Sequence, residues 1–575
     1  MIIRQRASDP LAQQALAQSG VHPVLAKVFA ARGVRTREEL DESLEALARP
    51  GQMANLAQAA AWLGKTIQDN KKILVVADYD ADGATACAVA IRGLKRFGAH
   101  VDFLVPDRFT FGYGLTPALI DHAVKVHAHE PIDLIITVDN GISSVAGVAH
   151  AKSLGIEVLV TDHHLPGQQL PETLIVNPNL AHCGFPSKNL AGVGVMFYVL
   201  MALRAWCRDQ AGWPAEKIPR LDDLLPIVAL GTVADVVKLD ANNRRLVAQG
   251  LRRLRKGNSF AGLNALFQVT DLEVRQANAK HFGFVIGPRI NAAGRLSDMS
   301  IGIRCLLEDD PSKALEIAAE LDRLNRERRE IETEARETAV AQALEVLQAA
   351  TNDASDRWSL VLHHPDWHQG VIGLIAGRLK ERFYRPTIVL AQDGDPSVLK
   401  GSGRSIAGVH LRDVLERIDT QHPGLMRAFG GHAMAAGLTL ARDHLETFTQ
   451  LFEATVREFA DPEDLQQALD VDGPLAAEFI RLDVAQMLSD QVWGQGFPAP
   501  VFINEFEVLS QRRLKEQHLK LSLRLPESGA RTPPIEAIWF NASQDLGPRA
   551  QLAYRLAVND WQGRSSVQLE VVALA

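Results

Sequence analysis

Three short segments concentrate the groups able to do chemistry. VADYDADG (76–83) places carboxylates at Asp78, Asp80 and Asp82, VDNG (138–141) adds Asp139, and TDHH (161–164) adds Asp162, His163 and His164. A further acid, Asp235, interrupts the apolar run 227–239. Aspartates bunched together repel unless a cation neutralises them, and hard oxygen ligands with imidazole suit Mn2+ or Mg2+. Several carboxylates can hold two such ions, roughly 3.5–4 Å apart, an arrangement that activates water and stabilises the leaving oxygen of a phosphoryl transfer. The plainer reading is a calcium loop or a solvated acidic turn. An EF-hand is disfavoured, because position 12 counted from Asp78 is Val89 rather than a glutamate.

The elements that must position these residues are readable in outline. ILVVAD (73–78), DLIITVD (133–139), VLVTD (158–162) and LIVNP (174–178) are short Val- and Ile-rich runs, each ending in a polar residue, with helical stretches between several of them. Continuous apolar strands alternating with helices predict a buried parallel sheet, whose ligand site lies beyond the carboxyl ends of the strands. The stretch from Pro311 to about Ala350 predicts a long exposed connector helix, with Leu315, Ala318, Leu321 and Leu324 at helical spacing. A second α/β pattern follows, and the alternating segments FINEFEVL, LKLSLRL, IEAIWF and VQLEVVAL predict a small terminal β-barrel or sandwich.

DYDADG, VDNG, TDHH and GTVAD resemble, in this order, the motifs of the DHH phosphoesterase superfamily, and GGHAMAAG (430–437) is similar to the glycine-rich motif of the associated DHHA1 domain. IGPRINAAGR (286–295), WHQGVIGLIAGRL and GSGRSI resemble its branch of bacterial single-strand-DNA exonucleases. The resemblance runs from about residue 50 to the C-terminus. It implies an α/β multidomain chain with a helical lead-in at 1–50, a parallel-sheet DHH domain at 51–305, and a connector helix at 306–355. A smaller α/β DHHA1 domain at 356–460 and an OB-like nucleic-acid-binding barrel at 470–575 complete it. It further implies that Asp80 and Asp139 bind one ion with Asp78 in or near its shell, and that Asp82, Asp139, His163 and Asp235 bind the second. His164 would contact the scissile phosphate, while Asp162 orients a histidine.

Substrate contacts are expected elsewhere. Ser402 and Arg404 of GSGRSI are two apart, so in a strand both project from one face, and arginine suits bidentate phosphate recognition. The resemblance implies that this pair, with Arg289 and Arg108, holds a 5′-terminal phosphate. A structural ion pair is the competing role for each arginine. Gly430 and Gly431 would allow close backbone approach, with His432 as a donor. Two basic segments stand out. Residues 242–256 hold six Lys/Arg and no acid, equally a solvated helix face or a strand contact, and 511–524 hold five against one Glu in the expected barrel. Trp539 and Phe540 read as barrel core.

The net charge of −8 excludes holding nucleic acid by bulk charge but not by a local basic groove. Four dispersed cysteines and no apolar leader point to a reducing cytoplasm, and no run is long enough to span a bilayer. The resemblance implies a monomeric two-metal 5′→3′ exonuclease on single-stranded DNA, active in recombination and repair with single-strand-binding protein as partner. A short-oligonucleotide or cyclic-dinucleotide phosphodiesterase, and a non-catalytic replication scaffold, are the alternatives.

Overall fold

A computed structural model describes residues 2–107, 110–349, 357–515, 517–529, 532–542, 544–561 and 563–575. The chain forms two compact units, one from Gln5–Arg323 with Asp470–Ala575, the other from Leu324–Leu469 with the first residues up to Arg4.

The larger unit is organised by five parallel strands, β1 (Lys72–Ala77), β2 (His100–Leu104), β3 (Leu134–Val138), β4 (Glu157–Thr161) and β5 (Leu174–Val176), ordered β2-β1-β3-β4-β5. β1 and β3 are buried along their whole length, which is why their sequences are apolar but for Lys72 and Thr137. Register pairs Ala77 with Val138 and Val138 with Thr161. The ladder continues one residue further. Asp78 N donates to Val138 O, Asp139 N to Thr161 O and Asp162 N to Val176 O. Three aspartates therefore leave the sheet at adjacent positions.

Helices α1 (Ala81–Arg96), α2 (Gly192–Asp209) and α3 (Leu225–Ala234) pack together behind these strand ends. Asp80 caps α1 through its carboxylate, Asp82 lies in the first turn, and Asp235 follows the last residue of α3. The terminal barrel belongs to the same unit. Its strands β11 (Phe502–Leu514), β12 (His518–Arg524), β13 (Ile535–Trp539), β14 (Arg549–Trp561) and β15 (Arg564–Leu574) close in the order β11-β12-β13-β15-β14.

The smaller unit holds a mixed sheet of β6 (Leu360–His363), β7 (Thr387–Asp393), β8 (Asp395–Arg404), β9 (Met426–Gly431) and β10 (Ala435–Ala441), ordered β9-β10-β8-β7-β6. Most of the long helix Pro311–Ala349 lies in this unit, where Ala335, Ala339 and Ala343 pack with Leu360, Leu362 and Ile375.

One buried ion pair joins the N-terminal segment to the stretch leading into the barrel. Arg32 Nη1 lies 2.7 Å from Asp472 Oδ1, both side chains 1% exposed. Arg32 also donates to Pro498 O and Val28 O, and Asp472 accepts from Val501 N. The arginines of 242–256 are drawn into the same junction. Arg244 and Arg245 donate to the carbonyls of Glu39 and Asp41, Arg252 pairs with Glu42, and Arg253 with Asp222. This basic run is thus largely occupied by protein partners. Removing one member of a buried pair leaves an uncompensated charge and costs about 3–5 kcal/mol. Asp472→Ala is expected to lower the urea unfolding free energy of this unit by about that amount. A change below about 1 kcal/mol, the range of exposed pairs, would contradict this reading.

Candidate metal centre

The centre is assembled where three parallel strands and two helices end. His163 Nε2 lies 3.1 Å from Asp139 Oδ1, 3.5 Å from Asp235 Oδ2 and 3.9 Å from Asp82 Oδ2. Three overlapping groups have donor atoms close enough to share a cation: Asp78–Asp80–Asp139, Asp82–His163–Asp235 and Asp139–His163–His164. Asp139 belongs to two of them, so it stands between the Asp78–Asp80 side and the His163 side. The Asp139 Oδ1 and Asp235 Oδ2 atoms are buried, and among the described residues neither accepts a hydrogen bond. Buried carboxylate oxygens without donors are costly unless a cation satisfies them. The donor set, oxygens with one or two imidazoles, fits Mn2+ or Mg2+.

Backbone geometry makes the crowding possible. Asp82 accepts from Gly192 N at 2.5 Å and Val193 N at 3.0 Å, so its carboxylate sits on the positive end of α2. A Cβ on Gly192 would stand 2.6 Å from Asp139 Cβ, and one on Gly83 only 2.4 Å from Asp78 O. Asp139 itself is left-handed at φ 64°, a conformation aspartate tolerates. Val236, directly after Asp235, is also left-handed at φ 62°. For a residue bearing a Cβ this costs about 1–2 kcal/mol.

Burial and mutual repulsion set the charge states. Burial, reinforced by neighbouring carboxylates, pushes Asp78, Asp139 and Asp235 well above the usual carboxylate range. Burial and the Asp80 charge lift Asp82 to about 7, despite its two backbone donors. Asp162 behaves differently. Burial pushes it up, but hydrogen bonds from the His164 side chain and from backbone N–H groups prevail and hold it below the usual range. His164 Nδ1 lies 2.7 Å from Asp162 Oδ1. Burial pulls this imidazole down, yet Asp162 outweighs it and raises the ring to about 9. Asp162 thus fixes the His164 ring by a 2.7 Å contact and favours its protonated form.

Sequence reading overlooked several supports. Tyr113 OH comes within 3.4 Å of His164 Nδ1. Asn177 and Asn179 donate to the carbonyls of His164 and His163, and Asn291 accepts from Ala81 N. The asparagines of NPN, following an apolar strand, were the available signal.

The expected substrate residues are dispersed. Arg108 lies outside the described residues. Arg289 is buried, its guanidinium 2.8 Å from Asp322 Oδ1 and donating to Val285 O, which is the structural ion pair that competes with phosphate binding. In the smaller unit, Ser402 and Arg404 share a face of β8, and Gly437 and Gly430 continue the Ser402 row across β10 and β9. Arg404 donates to Ser402 Oγ and Gly403 O. Among the described residues no carboxylate pairs with it, and burial alone pulls its pKa down. Gly431 is at φ 141°, and the exposed His432 donates its N–H to Ala435 O, so both lie in the β9–β10 hairpin. His363 and His364 join no metal-binding group among the described residues. In the barrel, Trp539 is core at 8% exposure, but Phe540 is 48% exposed, which corrects the reading of both as core.

The sheet and strand-end loops that carry this centre fall within residues 72–232, which match the profile of the DHH family, N-terminal domain. The larger unit therefore contains a DHH phosphoesterase domain. Residues 357–458 match the DHHA1 domain and 471–573 the RecJ OB domain. The single-stranded-DNA-specific exonuclease RecJ of Escherichia coli K12 is 47% identical over 558 residues, covering 95% of each chain. Among solved structures, RecJ of Thermus thermophilus in complex with Mn2+ matches with a TM-score of 0.82 at 30% identity, covering 100% of this chain and 79% of that one. The same protein in complex with Mg2+ matches at 0.76 and 29%, covering 100% and 78%. The chain belongs to the RecJ family.

The raised carboxyls give a testable sign. Between the ordinary aspartate range and pH about 7, the folded metal-free protein holds protons that the unfolded chain has released, so stability falls as pH rises through that window. A divalent cation replaces those protons. Added Mn2+ is expected to raise the thermal midpoint, and its calorimetric affinity to weaken as pH is lowered from about 8 to about 6. Affinity independent of pH would contradict the assignment.

Proposed function

We propose that this chain is a two-metal-dependent 5′→3′ exonuclease on single-stranded DNA, releasing 5′-mononucleotides and acting in recombination and repair. The observation that carries the reading is the convergence of Asp78, Asp80, Asp82, Asp139, Asp235 and His163 at one sheet edge, within a RecJ-family chain. Asp80 and Asp139, with Asp78 close by, would hold one ion, and Asp82, Asp139, His163 and Asp235 the other. When bound, two Mn2+ or Mg2+ ions supply nucleophile activation and charge neutralisation for phosphodiester hydrolysis.

The chain's own groups divide the remaining work. His164, kept protonated and oriented by Asp162, presents a cationic N–H to the scissile phosphate. Ser402 and Arg404 hold a terminal phosphate, an assignment supported by a buried guanidinium for which no carboxylate partner is found among the described residues. Arg108, Gly430, Gly431 and His432 complete the proposed substrate set, together with Arg289, whose guanidinium would have to leave Asp322 to reach a phosphate. The barrel contributes single-strand contacts. We further propose that the enzyme works as a monomer in the cytoplasm, with single-strand-binding protein as partner. All four cysteines are free and buried, as suits a reducing compartment. Among the described residues no helix is long and apolar enough to cross a membrane.

Digestion of 5′- and 3′-labelled single and double strands tests this directly. A 5′ label on a single strand should leave first as mononucleotide, in Mn2+ or Mg2+ but not with chelator. Asp82→Ala should reduce the rate by about a hundredfold or more, and activity should weaken as salt rises. Early release of a 3′ label, or unchanged degradation by the Asp82→Ala protein, would overturn the assignment.

A further inference from the structure

We propose that Val236 and Phe284 form an apolar shelf at the rim of the metal centre, on which a nucleobase flanking the scissile phosphate packs. The inference rests on the nuclease reading and deepens it by naming a substrate-positioning surface.

The first observation is a mismatch between residue type and backbone. Val236 follows the C-terminal end of α3 in the left-handed region, where helices ordinarily place glycine. A β-branched residue at such an angle is a genuine outlier. Internal packing gives little compensation, because the side chain is 63% exposed. Its position is specific. It is covalently next to Asp235, whose Oδ2 is 3.5 Å from His163 Nε2, and consecutive Cα atoms are about 3.8 Å apart. Strain of this kind clusters at functional sites.

The second observation is independent. Phe284 is 71% exposed, the highest value among the described aromatic residues that are exposed. It lies in the π-helical stretch Phe282–Ile286, whose two ends are buried. Such stretches are rare and frequently mark functional positions. This segment runs against the end of α3. A Cβ on Gly283 would lie 3.4 Å from Val233 Cγ1, and one on Gly287 would lie 3.0 Å from Ala234 Cβ. Two exposed apolar side chains are thus borne by segments that meet at the end of α3, the helix that leads into Asp235.

Fold stability explains neither. Glycine at 236 would relieve the backbone, and a polar residue at 284 would be better solvated. A phosphodiester seated among these carboxylates carries a nucleoside on each side, and every base offers a flat apolar face. Packing against such a face is tolerant of sequence. The aromatic ring and branched aliphatic group fit that role, and lysine or arginine at these positions would instead have indicated phosphate contact.

The test compares wild type with Val236→Gly, Phe284→Ala and Phe284→Trp. It uses a 5′-phosphorylated strand and the same strand with abasic terminal positions, both with Mn2+. Val236→Gly is expected to unfold at an equal or higher temperature. Val236→Gly and Phe284→Ala should each raise KM by about tenfold on the base-bearing strand, with a much smaller change on the abasic strand. Phe284→Trp should restore the wild-type KM. Equal losses on both strands, or unchanged KM on the base-bearing strand, would overturn the shelf while leaving the nuclease reading intact. Absence of Mn2+-dependent hydrolysis by the wild type on either strand would overturn both.

Discussion

Negative charge packed out of water is the constraint around which this molecule is arranged. Two unit charges 4 Å apart interact by about 4 kcal/mol at the effective dielectric typical of pairs near a protein surface. At this centre Asp78, Asp82, Asp139 and Asp235 are all drawn within reach of one another and upward in pKa. No arginine or lysine forms an ion pair with these four among the described residues. The fold instead supplies partial charges at fixed points, such as the Gly192 and Val193 N–H groups facing Asp82. These moderate the repulsion without replacing a cation.

A rigid scaffold is what keeps such a cluster from relaxing apart. The parallel register makes Asp78, Asp139 and Asp162 neighbours, since each takes the next ladder hydrogen bond after its strand. Glycines at 83 and 192 remove the volume that would push the loops away. Asp162, held below the usual carboxylate range by its hydrogen bonds, is committed to His164, so a paired imidazole stands beside the crowded carboxylates. The stored strain extends to the rim, where Val236 occupies a conformation suited to glycine.

Much of this was legible in the sequence because the central strands Lys72–Ala77 and Leu134–Val138 are buried on both faces and so spell mainly apolar runs, whereas the partly exposed His100–Leu104 does not. The polar residue after each run then had to lie at the sheet edge. The barrel was legible from alternation, although the strand Arg549–Trp561 was not among the segments recognised. What was not legible depends on long-range geometry. Nothing local shows that Asp82 caps a helix starting 110 residues later, or that Asn291 holds the Ala81 backbone. The arginines of 242–256 looked as available for a polyanion as those of the barrel. Only the fold shows them bound to Glu39, Asp41, Glu42 and Asp222. Trp539 and Phe540 are adjacent, yet Trp539 ends its strand in the core while Phe540 begins the following turn and is exposed.

If relief of buried repulsion by cations is the organising principle, Asp139 is the residue to change, because it belongs to both sides of the cluster. The most direct measurement is the Mn2+ stoichiometry of the full chain and of its Asp139→Asn variant, by isothermal titration with paramagnetic resonance of the bound ion. Two ions per chain are expected in the wild type, magnetically coupled, and at most one, uncoupled, in the variant. Two ions retained by Asp139→Asn, or none bound by the wild type, would contradict the principle.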